Sequence, residues 1–277
     1  MTWCCLNGEM MPIDQAAISP MDRGFLFGDG VYEVMARVDG RIRAKSLHEA
    51  RLCSSLGAIG LDVSVTDVFS DVDRLIDKAG LLDAKIYVQV TRGAAPVRDH
   101  AFPAQISPTV FLTISEFKAV SQKPAKAIVR PDIRWRRNSI KSVSLLGNVL
   151  LLQEARENGA QEAVLYRDDF VTEASTSNVF VIRGQTLITP PLSDLILPGV
   201  TRHLVIEMAT TVGLNVIEEP VRVDSLGSAD GVFVSSSTRG LMPIIELDPG
   251  GQVGDGRLMD AFLALQMAYD DRLHHHE

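Results

Sequence analysis

The sequence predicts an α+β fold in two domains, on three observations. Strand-like and helix-like stretches follow one another in both halves with no internal repeat. A polar stretch, "EFKAVSQKPAK", interrupts them, lacks strong periodicity and carries Pro124. The 277 residues suffice for two cores. The expected division is a small N-terminal domain over residues 1–116, a linker over 117–125 and a larger C-terminal domain over 126–277 that carries Lys141.

In the N-terminal half, "TWCCLNGEMMPI" reads as a hairpin turning at Asn7-Gly8, and "YEVMARVDGRIRA" as a strand pair turning at Asp39-Gly40. "SLHEARLCSSLGAIGL" places Leu52, Leu56 and Ile59 near helical spacing. In "TDVFSDVDRLIDKAG", Thr66 is the expected N-cap, Val68, Val72, Leu75 and Ile76 form one face, and Gly80 ends the helix. "KIYVQVTRG" and "TVFLTIS" read as strands. The C-terminal half reads as strand "AIVRP", helix "SLLGNVLLLQEARENG" and strands "EAVLY", "NVFVI" and "TLITP". There follow helix "GVTRHLVIEMATTVG", strands "GVFVSSS" and "MPIIEL", and a last helix "GRLMDAFLALQMAYDDRL".

Composition narrows the function. Hydrophobic residues at 46% and charged residues at 22% describe a globular chain. A formal charge of −8 argues against nucleic acid or an anionic membrane as the main partner. No segment has signal-peptide or membrane-span character, and Cys4, Cys5 and Cys53 have no metal-ligand spacing, so the expected location is the cytoplasm.

Several residues suit one chemistry. Lys141, flanked by Ile140, Val143, Leu145 and Leu146, is placed for desolvation, which turns an ammonium into the nucleophilic amine of Schiff-base reactions. In "DDFVTEASTSNVFVI", Glu173 stands at a strand's end, where a carboxylate can hold the proton of a pyridine nitrogen. Pro198-Gly199 precedes a helix, so the amides of Val200 and Thr201 form an anion site. Ser236 and Ser237 add hydroxyls, and Arg51 a guanidinium for a dianion. In "VTRGAAPVRDHAFP", Arg98 and His100 can share a carboxylate. Each alone is an ordinary lysine, loop acid, helix cap or polar turn; together they meet the needs of a pyridoxal phosphate site. Gly28 and Gly30 suggest a dinucleotide fingerprint, but Glu33 fills its third glycine position. His274, His275 and His276 read as a tail rather than a metal site, and the Leu-rich helix as core.

"FGDGVYEV", "HEARL", "VTRGAAPVRDH", "RWRRNSIKSVSLLGNVLLLQEA", "EASTSNVFVI", "LPGVTR" and "VFVSSSTRGLMPI" occur in the order and at the spacings of one family. The chain resembles the class IV (fold type IV) pyridoxal-phosphate aminotransferases, most of all their D-amino-acid branch. That resemblance implies a two-domain fold with the cofactor between the domains, and Lys141 as the internal-aldimine lysine and proton shuttle. It implies Glu173 on the ring nitrogen and Leu197 behind the ring. Arg51, Val200, Thr201, Ser236 and Ser237 would bind the phosphate, and Tyr32, Arg98 and His100 the substrate carboxylate. It further implies a homodimer in which the Arg98–His100 loop serves the second subunit, with a D-amino acid and an oxo acid such as 2-oxoglutarate as substrates. Three alternatives share the scaffold: R-selective amine transaminase, branched-chain L-amino-acid transaminase and aminodeoxychorismate lyase. Leu145 and Leu146, where the branched-chain enzymes carry a tyrosine, and Arg98-x-His100 favour the D-branch.

Overall fold

The computed structural model describes residues 2–118, 123–255 and 260–275. It contains two compact units, Met1–Ala119 with Ile140–Ser144, and Val120–Ser139 with Leu145–His276.

The first unit holds β1 (Trp3–Leu6), β2 (Glu9–Pro12), α1 (Arg23–Phe27), β3 (Gly30–Val38), β4 (Arg41–Ile42), α2 (Lys45–Ala58), α3 (Val65–Ala79), β5 (Ala84–Thr91) and β6 (Thr109–Glu116). Its sheet runs β2-β1-β6-β5-β3-β4, antiparallel throughout. Both expected hairpin turns form, with Asn7-Gly8 and Asp39-Gly40 at positive φ as a tight two-residue turn demands. Val68, Val72, Leu75 and Ile76 do make one buried stripe, packed on Val31, Met35, Ile86 and Leu112 from the sheet. The N-cap of α3 is Ser64, not Thr66: the Ser64 hydroxyl accepts from the Asp67 amide, and the helix begins two residues earlier than expected.

The segment around Lys141 differs from the sequence reading. The Tyr32 amide donates to the Lys141 carbonyl at 2.9 Å and the Val143 amide to the Gly30 carbonyl at 3.0 Å, while Ile140 enters the first unit's core. Residues 140–144 therefore run beside β3 through an isolated bridge from Ser142 to Val31, and Lys141 belongs to the N-terminal unit rather than the C-terminal domain.

The second unit holds β7 (Ala125–Pro131), α4 (Leu146–Glu157), β8 (Glu162–Arg167), β9 (Phe170–Ala174), β10 (Asn178–Arg183), β11 (Thr186–Thr189), α5 (Val200–Thr211), β12 (Asn215–Glu218), β13 (Gly231–Ser236), β14 (Gly240–Asp248), β15 (Gly251–Gln252) and α6 (Asp260–His275). The strand order is β12-β11-β10-β13-β14-β7-β8-β9, with β15 on β14. Pairs β11–β12, β14–β7 and β7–β8 are parallel and the rest antiparallel. Phe180 and Phe233 stack at 4.8 Å between centroids across β10 and β13.

The Leu-rich helix is the second departure. Only Leu151 and Ala155 of α4 are buried, against Ile128, Ala163 and Leu165. Leu146, Val149 and Leu150 are 71%, 58% and 54% exposed, so that face is not core within this chain. An apolar run without a polar stripe carries no sign of which side turns inward. Residues 119–122 of the expected linker, 256–259 of the expected last helix, and His276 lie outside the described residues. Among the described residues no helix is long and apolar enough to cross a membrane, and no cluster of His, Cys, Asp and Glu suits a metal ion.

The two capping positions make a direct test. Ser64→Ala should cost about 1 kcal/mol of stability in urea unfolding, and Thr66→Ala should stay within about 0.5 kcal/mol of the parent.

Candidate active site

Strand β3 supplies the first group of site residues. Its side chains alternate, so Val31, Glu33 and Met35 are buried while Tyr32 stands on the other face. An acid at an inward position must find a cation, and α2 provides one. Arg51 donates through Nε to Glu33 Oε1 at 2.7 Å and through Nη2 to Oε2 at 2.8 Å, a bidentate fork. His48 Nδ1 lies 2.7 Å from the same Oε2; a carboxylate only accepts, so that nitrogen carries the hydrogen. Burial works against the Glu33 charge, but Arg51 and then His48 outweigh it and hold the carboxyl down to about 2. Burial in turn pushes the His48 imidazole below its ordinary value, so this ring is neutral.

Lys141 is half-buried, and its Nζ stands 4.3 Å from the centroid of the Tyr32 ring. The Tyr32 ring is its apolar neighbour within the first unit. Its own amide donates to Ser55 Oγ at 3.3 Å, tying the segment to α2. Tyr32 packs on Tyr87 with centroids 5.8 Å apart, and burial pushes the Tyr87 hydroxyl up to about 12. Lys141, Tyr32 and Arg51 thus share a neighbourhood in the first unit. Arg98 and His100 are exposed on the loop between β5 and β6, both against Phe27: the Arg98 guanidinium 4.7 Å from the ring centroid, the His100 ring 5.2 Å.

The second unit gathers the others. Glu173, at the end of β9, is buried, and burial raises its carboxyl above the ordinary value. Arg134, which donates to Oε1, and the Leu197 amide, at 3.0 Å from Oε2, act in the opposite sense. Asn178 Nδ2 donates to Oε2 at 3.1 Å and to the Leu197 carbonyl at 2.9 Å. A carboxylate has about four acceptor sites, so three donors leave Oε1 able to accept once more. Arg134 is itself fixed by Asp132, through Nε at 3.0 Å and Nη2 at 2.9 Å.

Asn178 also connects Glu173 to the start of α5. A Cβ on Gly199 would meet Asn178 Oδ1 at 1.9 Å, so only glycine fits as the N-cap. No side chain caps this helix, and Val200 and Thr201 open it. Ser235, paired with Asn178 across β10 and β13, has a buried hydroxyl without a hydrogen-bond partner; Ser236 and Ser237 follow, half-buried. Nearby, Glu162 is buried and accepts from Thr176 Oγ1 at 2.7 Å, Ser177 Oγ at 3.0 Å, Arg239 Nη2 at 2.6 Å and the hydroxyl of Ser175. One carboxylate therefore fixes both the loop after Glu173 and the turn after Ser237.

A family model for class IV amino-transferases matches residues 30–247. The chain belongs to the class IV aminotransferases. A D-alanine aminotransferase of Bacillus licheniformis is 39% identical over 90% of this chain and 89% of its own length. One of Staphylococcus epidermidis is 37% identical over 100% of this chain and 99% of its own. Among solved structures, a branched-chain amino acid aminotransferase of Escherichia coli superposes with a TM-score of 0.91 at 26% identity, covering 99% of this chain and 96% of that one. The fold type IV architecture expected from the sequence is the one these aminotransferases share.

Class IV aminotransferases use pyridoxal 5'-phosphate, and the second unit of this aminotransferase fits such a group. An uncapped helix start without a Cβ, beside the unpartnered Ser235 hydroxyl, suits a phosphate. The spare acceptor on Glu173 suits a protonated ring nitrogen. Sequence reasoning missed Glu33, Arg134 and Glu162 as parts of the site. Glu33 alone left a signal, an acid in phase with Val31 and Met35 on an otherwise apolar strand face.

Glu33 makes the first unit's stability pH-dependent. Its folded carboxyl is held to about 2 against an ordinary 4.5, so the stabilisation is fully present above about 4.5 and is lost as pH falls to about 2. Glu33→Ala should cost about 3–5 kcal/mol near neutrality, because it takes the carboxylate partner from the buried Arg51 charge. In urea unfolding the gap between Glu33→Gln and the parent should shrink steadily from pH 5 to pH 2; a constant gap would contradict the pairing.

Proposed function

We propose that this aminotransferase moves the amino group of a D-amino acid to a 2-oxo acid, with 2-oxoglutarate as the expected acceptor. The observation that carries the reading is the buried Glu173 carboxylate, oriented by Arg134, Asn178 and Leu197 with acceptor capacity to spare. The D-alanine aminotransferase relatives and the Arg98-x-His100 loop support the D-branch. Bound pyridoxal phosphate supplies a carbonyl that takes up the amine and a ring that draws electrons from the substrate Cα.

The chain's residues do the rest. Lys141 Nζ would hold the cofactor and, once displaced, would accept the substrate Cα proton and give it up again. A neutral amine can perform both tasks; a guanidinium, always charged, can perform neither. Glu173 would accept from the protonated ring nitrogen, and Leu197 would lie against the ring. The amides of Val200 and Thr201, the hydroxyls of Ser236 and Ser237, and Arg51 bind the phosphate. Arg51's fork to Glu33 fixes its direction. Tyr32, Arg98 and His100 bind the substrate carboxylate. We also propose a cytoplasmic homodimer whose Arg98–His100 loop serves the partner subunit. The exposed Leu146, Val149 and Leu150 face supports association, and three free cysteines support a reducing compartment.

Absorbance spectroscopy tests the reading. The purified protein loaded with pyridoxal phosphate should be yellow, and D-alanine should bleach the visible band, with 2-oxoglutarate restoring it. Lys141→Ala should lose both the covalent cofactor link and turnover. Bleaching by L-leucine but not D-alanine would move the assignment to the branched-chain class, and pyruvate release from aminodeoxychorismate without an acceptor would move it to the lyase.

A further inference from the structure

The loop that bears Arg98 and His100 is exposed, yet a buried arginine with no part in the reaction described above grips its backbone. Arg23, on α1, is 3% exposed. Its Nη1 donates to the Asp99 carbonyl at 2.6 Å and the Ala101 carbonyl at 3.2 Å, and its Nη2 to the His100 carbonyl at 3.1 Å. Its Nε donates to Asp29 Oδ2 at 2.8 Å. Asp29 Oδ2 accepts in turn from Arg92 Nε, also at 2.8 Å. Arg92 is anchored on the end of α2, donating to the Ile59 carbonyl at 2.7 Å and the Gly60 carbonyl at 3.3 Å. Its guanidinium lies 3.6 Å from the Phe102 ring centroid.

The geometry is that of a clamp. A planar guanidinium offers donors in a fixed fork, so three successive carbonyls on one arginine leave the backbone at 99–101 a single path. Phe27, four residues beyond Arg23, registers the side chains. Its ring centroid is 4.8 Å from the Arg23 guanidinium, 4.7 Å from that of Arg98 and 5.2 Å from the His100 ring. Arg23 therefore controls the loop backbone, while its own helix supplies the surface on which Arg98 and His100 rest.

We propose that Arg23, locked by Asp29, is a positioning residue that holds the backbone of residues 99–101 so that Arg98 and His100 present a preformed carboxylate site. This rests on the assignment of Arg98 and His100 to the substrate carboxylate. Pre-organisation of this kind governs substrate affinity, since an unclamped loop must be ordered at each binding event.

The test uses the cofactor-loaded enzyme with Arg23→Gln, Arg23→Lys, Phe102→Ala and Arg98→Ala. Arg23→Lys keeps the charge against Asp29, but a single ammonium cannot serve three carbonyls and should not rescue. Both Arg23 variants should raise KM for D-alanine and for 2-oxoglutarate about tenfold or more, the scale of losing an outer-shell partner. Their kcat and their cofactor affinity should change little. Slow turnover of (R)-1-phenylethylamine, which has no carboxylate, should be unaffected. Trypsin, which cuts after arginine, should nick the apo and loaded variants at Arg98–Asp99 several-fold faster than the parent. Phe102, 63% exposed, can be truncated without threatening the fold, and Phe102→Ala should show the same changes to a smaller degree. Parent-like KM and parent-like nicking in the Arg23 variants would overturn the proposal, as would losses shared equally by the amine. Arg98→Ala with unchanged KM would overturn the carboxylate assignment instead, and leave the clamp to be judged by nicking alone.

Discussion

Burying carboxylates is the constraint on which the rest of this structure depends. The side chains of Glu33, Asp132 and Glu162 are fully buried, Glu173 is 6% exposed and Asp29 is 12% exposed. Each meets an arginine: Arg51, Arg134, Arg239, Arg134 again, and the Arg23–Arg92 pair. Such pairs add little net stability over apolar packing, because desolvation of both charges offsets their attraction. What they add is direction. A forked donor on a two-oxygen acceptor has few good geometries, so each pair fixes two chain segments relative to each other within its own unit. Glu33 fixes α2 to β3, Asp29 fixes α1 to the strand end at Arg92, and Glu162 fixes two loops at once.

The same pairing sends two acids in opposite directions. Glu33 takes a bidentate fork from Arg51 and a hydrogen from neutral His48, and stays ionised throughout the physiological range. Glu173 shares Arg134 with Asp132, whose own carboxyl is held low by that arginine despite burial. With its burial and only a shared guanidinium opposite it, the Glu173 carboxyl rises. One acid is therefore a permanent anchor, and the other is responsive to a further cation placed against it. A protonated ring nitrogen is a cation of that kind. Two carboxylates separated in this way by their surroundings have separable roles.

Much of the fold was legible in the sequence because it depends on local signals. The turns at Asn7-Gly8 and Asp39-Gly40 need positive φ, and the α3 stripe follows from residue spacing alone. The N-cap missed by two residues, since Ser64 and Thr66 offer the same hydroxyl and only backbone geometry separates them. Of the site, Lys141, Glu173 and Gly199 stood out by their flanks. Glu33, Arg134 and Arg23 did not, because what defines them is a partner far along the chain. Arg134 lies 39 residues from Glu173, and Arg23 lies 76 from Asp99. In "RWRRN" nothing local distinguishes Arg134 from Arg136 or Arg137. Helix α4 misled for a related reason: leucines on every side describe a helix that is covered somewhere, without saying by what.

The displacement of Lys141 from that helix to a strand edge has a mechanical consequence. A residue on a helix start takes its direction from the helix, and the turn before it is free to shift. Residues 140–144 are instead bonded to β3 at both Tyr32 and Gly30 and to α2 at Ser55, so the Lys141 Cα is rooted in the sheet that also carries Tyr32 and Glu33. The side chain beyond that root is four methylenes long, with Nζ over the aromatic face of Tyr32. The proton transfer proposed for Lys141, from the substrate Cα to a second carbon across the intervening nitrogen, would need this combination. The root must not move, or the amine loses its alignment with both carbons; the stem must swing freely, or it reaches only one of them. A carboxylate gripping Nζ would defeat the second requirement, as the energy of breaking that pair would be added to every transfer. Glu33 and Asp29 in this unit are instead held by arginines, and the lysine stands against a ring.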